Sequence, residues 1–354
     1  MLFRTPPLRL TLLVPGLAQA LEARAIEGEG ARLPFLERII GQADVEALTT
    51  PLYETLLFAL FGISQSGTMD VPLAPLMYSW DKGGGSPEPG WWLRADPVCL
   101  HPDRDRLVLF GPSHLQLSKT ESQSLAKRVA PLFTEYGWQF QALEPDRWYL
   151  RLPQPEQVNF TALAALEGKY IEPGLPSGPN SSRWRTLLNE IQMLLHDCPI
   201  NLKREKQGLP LANSVWFWGA GEAPSYPIPP LWRQIGWGHN PLLQALAAYC
   251  EIPGRPAPEG AKVWLAQNST IPGDYLVGLD SLLHTPDSFP CAGALQALEE
   301  NWFSILYAAL RNRELASLTF YPMNGYRYHL TWLRSWRLWR RPRSLIKSAG
   351  GLSP

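Results

Sequence analysis

The sequence predicts an α/β fold in which a mostly parallel sheet is interrupted by a small α+β insert. The run LRLTLLVPGL, residues 8–17, joins branched apolar residues to a Pro-Gly pair, which is typical of a buried strand that ends in a turn. NSVWFWG, residues 213–219, leads into glycines and then into an apolar helical stretch at 242–250, the order found in α/β units. Between these two regions, residues 91–152 follow a β-β-α-β-β order typical of a small α+β unit.

Composition limits the class of protein. The chain has 354 residues, enough for two domains or for one large domain that carries an insert. Hydrophobic residues make up 45% and charged residues 18%, which indicates a compact globular protein. The 32 basic and 32 acidic residues cancel, so no global field attracts nucleic acid or an anionic membrane. We expect no specific nucleic-acid partner, and any charge-driven partner must meet a local patch.

The spacing of the cysteines and the length of the N-terminal apolar run both indicate the cellular compartment of the protein. The four cysteines lie far apart without a C-x-x-C pair, which favours buried free thiols in a reducing cytosol over disulfides or a zinc site. The apolar run at residues 8–13 is shorter than a signal sequence or a membrane span requires. These observations predict a cytoplasmic protein.

Four segments are expected along the chain. DKGGGSPEPG, residues 81–90, has the composition of a surface connection, so a first core segment is predicted at residues 1–85. The insert then spans residues 86–175, and the second core segment spans residues 176–328. A tail rich in tryptophan and arginine follows at residues 329–354.

Periodicity and turn residues predict the individual elements. Ser118 followed by Glu121 is a capping box, which marks the start of a helix. Helices are predicted at 33–40, 51–61, 118–136, 182–196, 242–250 and 294–311. Strands are predicted at 8–14, 91–100, 106–111, 138–142, 148–152, 213–219, 276–279 and 317–321.

The most specific pattern is HDCPINLKREKQGLPLANSVWFWGAG, residues 196–221. It resembles the signature of archaeal-type cofactor-independent phosphoglycerate mutases, with Pro-x-Asn, an Arg three residues later, a Gly, Ala-Asn, a strand and Gly-x-Gly. The matching positions are Pro199, Asn201, Arg204, Gly208, Ala212, Asn213, Gly219 and Gly221. The resemblance implies an alkaline-phosphatase-like core, an inserted domain and two divalent ions of the manganese or magnesium type.

Residues outside the signature extend the resemblance over most of residues 91–250. WLRADPVCL is similar to the family's Phe-Arg-Cys-Asn strand and places Arg94 at its arginine, and the helix after LQLSKTES is similar to a second family motif. WLRADPV, DRWYLRLP, LLNEIQMLLH and the terminal WRRPR resemble, more closely still, bacterial regulatory proteins of the RpfE type that are often labelled phosphoglycerate mutase.

The chain departs from the family pattern at the positions of the metal ligands and of the nucleophile. Pro15 stands where the metal-binding Asp follows the first strand, and residues 41–62 contain no serine to act as the nucleophile. HTPDSFP (284–290) and FYPMNG (320–325) stand where the family has Asp-x-x-x-His and Asp-His-(Ser/Gly)-Thr, and neither is expected to keep the pattern. His284 with Asp287 gives too few ligands for a metal site. We therefore predict no catalytic residue, no metal ligand and no cofactor.

The resemblance supplies a candidate binding site. Arginine presents a fork of donors that matches phosphate or carboxylate oxygens. Substrate-binding positions are predicted at Arg94, Asn201, Arg204, Asn213, Gly219 and Gly221. The alternative for the arginines is local pairing, with Asp96 beside Arg94 and Glu205 beside Arg204.

The tail contains the charge cluster of the chain. Residues 329–347 carry five arginines, one lysine and no acidic residue, and Trp332, Trp336 and Trp339 have the spacing of one helical face. Such a helix would bind an anionic surface or a protein partner. The alternative is that the tryptophans pack on the core while the arginine side chains reach water.

Three functions follow from these patterns. The first is a catalytically degenerate mutase-like protein that binds or regulates and retains a pocket for a phosphorylated metabolite. The second is an active mutase or metal-dependent phosphatase with rearranged ligands. The third is a protein interaction module.

Overall fold

The chain enters one compact unit, leaves it for a second, and returns to the first. The computed structural model describes residues 8–26, 32–49, 52–63, 70–226, 231–280 and 292–345. The unit that we term the core unit contains residues 1–62 and 226–354, and the insert unit contains residues 63–225.

A seven-stranded, mostly parallel sheet forms the centre of the core unit. The strands have the order β2-β12-β11-β1-β10-β8-β9. β1 lies between β10 and β11 and is parallel to both, whereas β12 and β2 add an antiparallel edge. The strands are β1 Leu8–Leu13, β2 Asp44–Ala47, β8 Gln234–Trp237, β9 Gly254–Pro256, β10 Gly273–Gly278, β11 Ser317–Tyr321 and β12 Tyr326–Thr331. This sheet confirms the predicted α/β class.

Helices pack against this sheet through apolar side chains. Leu36, Ile39 and Ile40 of the second helix are buried with β1 residues in one hydrophobic cluster. The carboxylate of Glu299 accepts hydrogen bonds from the backbone N–H groups of Phe35 and Leu36, which places a negative charge at this helix N-terminus. The helices are α1 Leu17–Ile26, α2 Pro34–Gln42, α3 Tyr53–Leu60, α10 Pro241–Tyr249, α11 Ala261–Asn268, α12 Ala292–Leu298 and α13 Ser304–Arg311, with a π-helical turn at Glu299–Phe303.

An antiparallel sheet forms the insert unit. Its longest strand, residues 91–103, pairs with three other strands. This is possible because the strand has 13 residues and two edges, so different parts of its length pair with different strands. The strands are β3 Trp91–Asp103, β4 Arg106–Phe110, β5 Gln139–Glu144, β6 Arg147–Leu152 and β7 Ser214–Gly221. The helices are α4 Ala74–Asp81, α5 Pro112–Leu115, α6 Lys119–Glu135, α7 Leu163–Leu166, α8 Ser181–His196 and α9 Pro199–Lys206. The predicted capping box is present, because Ser118 Oγ accepts the N–H of Glu121 and the Glu121 carboxylate accepts the N–H of Ser118.

The insert unit is wider than the predicted insert, residues 86–175, and the boundaries at 85/86 and 175/176 fall inside it. The stretch at 81–90 joins α4 to β3, and α4 packs on β3 through a stack of Tyr78 on Trp92. At the other end, β7 pairs with β3 from Trp92↔Gly221 to Val98↔Ser214. The strand at 213–219 is therefore part of the antiparallel sheet, and its placement in the parallel core was wrong. The predicted start of the tail, residue 329, lies inside β12.

Candidate functional site

The carboxyl edge of the parallel sheet is where an α/β fold of this kind binds ligands. Within the core unit, β1 leads into Val14-Pro15-Gly16, β10 leads into Leu279-Asp280, and β11 ends in Tyr321-Pro322. Backbone hydrogen bonds hold the three chains together beyond the strands, from Val14 N–H to the Tyr321 carbonyl and from Leu279 N–H to the Leu13 carbonyl. The three strand ends thus meet at one place, and Asp280 is the carboxylate that they bring there.

Asp280 is buried, with 2% of its surface exposed, and its oxygens bind the protein itself. Oδ1 accepts the backbone N–H of His239 at 2.8 Å, and Oδ2 accepts the N–H of Asn240. A side chain at Gly238 would collide with the Asp280 carboxylate, so the glycine permits this close approach. Asp280 therefore fixes the turn between β8 and α10, with the exposed His239 ring 3.5 Å from Oδ1.

Tyr53 places a second polar atom near this edge. Its hydroxyl is buried and has no hydrogen-bond partner among the described residues. Burial, and to a smaller extent the negative charge of Asp280, raise the pKa of Tyr53. The hydroxyl therefore stays protonated and is a neutral group at neutral pH.

These residues do not fit two divalent ions. A two-metal site needs several carboxylate or imidazole ligands around each ion. Across the residues that the structure describes, no group of three or more His, Cys, Asp or Glu side chains converges in a way that would hold a metal. Pro15, Tyr321 and Pro322 supply no ligand of this kind at the strand ends.

The sequence does keep one pattern that our sequence analysis missed. Asp280-Ser-Leu-Leu-His284 has the Asp-x-x-x-His spacing of the family, so the statement that this pattern is lost was wrong. The stretch HTPDSFP begins at His284, which is the last residue of this pattern and not its first. His284 and Asp287 lie outside the described residues.

The glycine loop at the end of β7 is built for close backbone packing. Gly219 has φ +67°, and an added Cβ would lie 2.9 Å from Leu73 Cγ. A Cβ on Gly221 would lie 2.5 Å from Cβ of Pro72. The Gly219 N–H donates to the carboxylate of Asp70, which also accepts the N–H of Val71. The two predicted binding glycines therefore contact the segment Asp70–Leu73, and sequence analysis did not single out Asp70.

The polar side chains of the signature are bonded within the insert unit. Arg204, which is 2% exposed, donates to the carbonyls of Pro210 and Leu115 and to the Glu121 carboxylate at 2.9 Å. The amide of Asn201 bridges the carbonyls of Leu195 and Ala212 and accepts the N–H of Ala212. Both side chains hold the segments around α9 together.

Asn213 and Arg94 also form hydrogen bonds or ion pairs within the insert unit. The Asn213 amide pairs with the N–H and the carbonyl of Leu100. Arg94 forms a buried ion pair with Asp96 at 2.7 Å and reaches the Asp146 carbonyl. Asp96 also accepts the Trp218 indole N–H, and burial raises the pKa of Asp96 to about 6 although Arg94 and the N–H donors act to lower it. The structure thus places the predicted substrate-binding side chains in internal contacts.

A cavity of about 730 Å³ opens beside the glycine loop, within the insert unit. This volume lies in the range of small-molecule sites. Its wall combines the aromatic rings of Trp91 and Phe160 with carboxylates and amides, and no Lys or Arg lines it. The polar lining residues are Asp70, Glu156, Gln157, Asn159, Thr161 and Ser177. Such a lining favours a neutral polar ligand over a phosphate.

The tail does not form the predicted helix. β12 continues to Thr331, and a short 3₁₀ turn at Arg334–Trp336 follows. Arg313 stacks on Trp332 and Arg311 stacks on Trp336, with each guanidinium carbon 3.7 Å from the ring centroid, and Trp336 remains 46% exposed. Trp339 is 79% exposed. The three tryptophans therefore do not share one helical face, because β12 ends at Thr331 and a 3₁₀ turn follows in place of an α-helix.

Comparisons with known proteins agree with this fold. No protein-family model matches the chain. The 2,3-bisphosphoglycerate-independent phosphoglycerate mutase of Methanosarcina barkeri is 36% identical over 72 residues, which are 20% of this chain and 18% of that protein. A probable enzyme of the same name from Geobacter sulfurreducens is 29% identical over 134 residues, 37% of this chain and 33% of that protein. The matches thus span a third or less of these relatives.

Solved structures resemble the chain over nearly its whole length. The PH0037 protein from Pyrococcus horikoshii has a TM-score of 0.50 and 13% identity, and the superposition covers 92% of this chain and 88% of that one. The cofactor-independent phosphoglycerate mutase of Thermoplasma acidophilum has a TM-score of 0.47 and 16% identity over 98% of this chain and 96% of that one. The partial sequence matches and the likeness to PH0037 together define the class of fold. The chain has a fold like that of the cofactor-independent phosphoglycerate mutases.

Among the residues described, no helix combines the length and the hydropathy that passage through a bilayer requires.

Proposed function

We propose that this protein is a catalytically degenerate phosphoglycerate mutase-like protein that acts by binding or regulation. The observation that carries the proposal is the carboxyl edge of the parallel sheet. Phosphoryl transfer of the family type needs ions that neutralise the developing charge. Where β1, β10 and β11 end, this chain has Pro15, Asp280 and Tyr321-Pro322, and Asp280 already accepts two backbone N–H groups. A regulatory role of the RpfE type agrees with this arrangement and stays a prediction.

The ligand of such a protein is a separate part of the proposal. A phosphorylated metabolite bound through Arg204 and Asn213 would have to displace internal hydrogen bonds that these side chains make in the insert unit. A ligand in the cavity beside the glycine loop would not have to displace these hydrogen bonds. We therefore favour this cavity, with its amides and carboxylates, as the place where a neutral polar ligand binds.

Calorimetric titration of the full chain with Mn²⁺ tests the proposal. We expect no stoichiometric binding, because the strand ends supply too few ligands. Asp280→Asn is the informative variant, and Asp274→Asn is its matched control, because Asp274 is a carboxylate paired with Arg9 on the neighbouring strand. Stoichiometric Mn²⁺ binding that Asp280→Asn abolishes and Asp274→Asn keeps would contradict the proposal.

One observation favours the second candidate, a metal-dependent mutase or phosphatase with rearranged ligands. Asp280 and His284 keep the family spacing Asp-x-x-x-His. In this alternative they supply two ligands to an ion, and activity depends on added Mn²⁺ and on both side chains. Substitution of His284 by Ala separates the two functions, because it leaves a binding protein unchanged and inactivates an enzyme.

A further inference from the structure

The segment Leu333–Arg343, which we term the basic aromatic segment, exposes large apolar side chains. Trp339 is 79% exposed, Leu333 is 71% exposed and Leu338 is 66% exposed. Single exposed apolar residues are common on protein surfaces, but a group of them within seven residues of one loop marks an interaction site.

Contacts within the core unit fix the backbone of this segment. Arg334 and Arg337 both form ion pairs with Asp44, and Arg337 also donates to the Gln42 carbonyl. Arg340 donates to the Ala43 carbonyl. The exposed apolar side chains therefore project from an anchored loop at the C-terminal end of α2, and their exposure does not result from a frayed chain end.

The charge of the segment has one sign. It contains five arginines and no acidic residue. Among the described residues, Asp44 is the carboxylate that forms ion pairs with it, and it does so with Arg334 and Arg337. Arg340, Arg341 and Arg343 are exposed. Arg311 and Arg313, stacked on Trp336 and Trp332, add two guanidinium groups beside the segment.

We propose that the basic aromatic segment binds the surface of an anionic phospholipid bilayer. Tryptophan and leucine side chains enter the headgroup region, where an indole ring has one apolar and one polar side, and the arginines face lipid phosphates. Each cation close to an anionic leaflet adds to the attraction, and salt weakens it. Three apolar side chains are too few for a standard protein interface, which uses about 20–30 residues on each side. The proposal does not rest on the catalytic state of the sheet edge.

Sedimentation of the full chain with lipid vesicles tests the proposal. We expect binding to vesicles of phosphatidylserine in phosphatidylcholine, little binding to phosphatidylcholine alone, and loss of binding at high salt. Leu338→Ser with Trp339→Ser removes the apolar part, and Arg341→Gln with Arg343→Gln removes two exposed charges while the anchoring Arg340 stays in place. Each set is expected to weaken binding more than about tenfold. Because these side chains are exposed, both variants should keep the thermal transition of the wild type.

A matched control distinguishes this segment from general surface hydrophobicity. Met193 is also 79% exposed, on α8 of the insert unit, so Met193→Ser should bind vesicles as the wild type does. Wild-type protein that does not sediment with phosphatidylserine vesicles at low salt overturns the proposal. Binding that both variants retain, or that Met193→Ser loses equally, overturns it as well. Binding of a soluble acidic protein without vesicle binding would assign the segment to a protein partner and would also overturn the proposal.

Discussion

The signature region of the insert unit, residues 199–221, and the carboxyl edge of the parallel sheet in the core unit differ in how closely they match the family pattern. The signature region has nearly every residue of the pattern, and the structure uses its polar side chains and Gly219 in internal contacts: Arg204 with Glu121, Asn213 with Leu100, and Gly219 with Asp70. At the sheet edge, the strands are present, but the described residues there include no group of side chains that would hold a metal ion. A strong signature match therefore predicts the fold more reliably than it predicts the chemistry of the site.

The largest effect expected from this comparison is at Arg204. Its substitution by Ala leaves Glu121 and two carbonyls without their buried partner, and breaking such a network typically costs about 3–5 kcal/mol. We expect a loss of this size in the free energy of unfolding, measured by urea denaturation. Lys203→Ala, on an exposed face of the same helix, should change it by less than about 0.5 kcal/mol. A nearly unchanged stability for Arg204→Ala would contradict a structural role for this arginine.

A smaller effect is expected at Gly219, and Gly208 is its matched control. Both glycines have φ +67°, so an alanine at either position has the same backbone strain of about 1–2 kcal/mol. A Cβ at Gly208 meets no atom within 4 Å, whereas a Cβ at Gly219 meets Leu73. Gly219→Ala should therefore destabilise by a further amount of about 1–3 kcal/mol. Equal losses of stability in the two variants would show that the loop does not pack closely on the segment Asp70–Leu73.

Sequence reasoning was most successful where one element carries its own signal. The capping box at Ser118 and Glu121 and the apolar run of β1 are local patterns, and both were confirmed. The pairing of β7 with β3 was not predictable, since an apolar strand has no local mark of which sheet it joins. The same holds for the contacts of Arg204, because Glu121 and Leu115 are distant from it in the chain. The Asp-x-x-x-His pattern at Asp280 is a different case, because its spacing to His284 is visible in the sequence and could have been recognised there.

The smallest effect concerns the pH dependence of the antiparallel edge of the core sheet. Burial, followed by the positive charges of Arg327 and Arg334, lowers the pKa of His329 below its usual 6.5, against the opposing effect of Asp44. The unfolded chain therefore binds a proton at His329 more readily than the folded chain does. The contribution of His329 to stability is complete above about pH 6.5, its usual pKa, and decreases as the pH falls below that value. His329→Gln should reduce this decrease in a series of urea midpoints. An unchanged pH profile would contradict a half-buried His329 with a lowered pKa.

Phosphorus NMR of 3-phosphoglycerate incubated with the purified full chain and Mn²⁺ tests the central claim most directly. Among the described residues, the sheet edge offers too few ligands for two ions, so we predict that 2-phosphoglycerate forms no faster than in a protein-free blank. Asp280→Asn and Asp274→Asn should give the same result as the wild type. Manganese-dependent conversion by the wild type that Asp280→Asn abolishes and Asp274→Asn retains would show that the sheet edge is a working metal site, and would contradict the account.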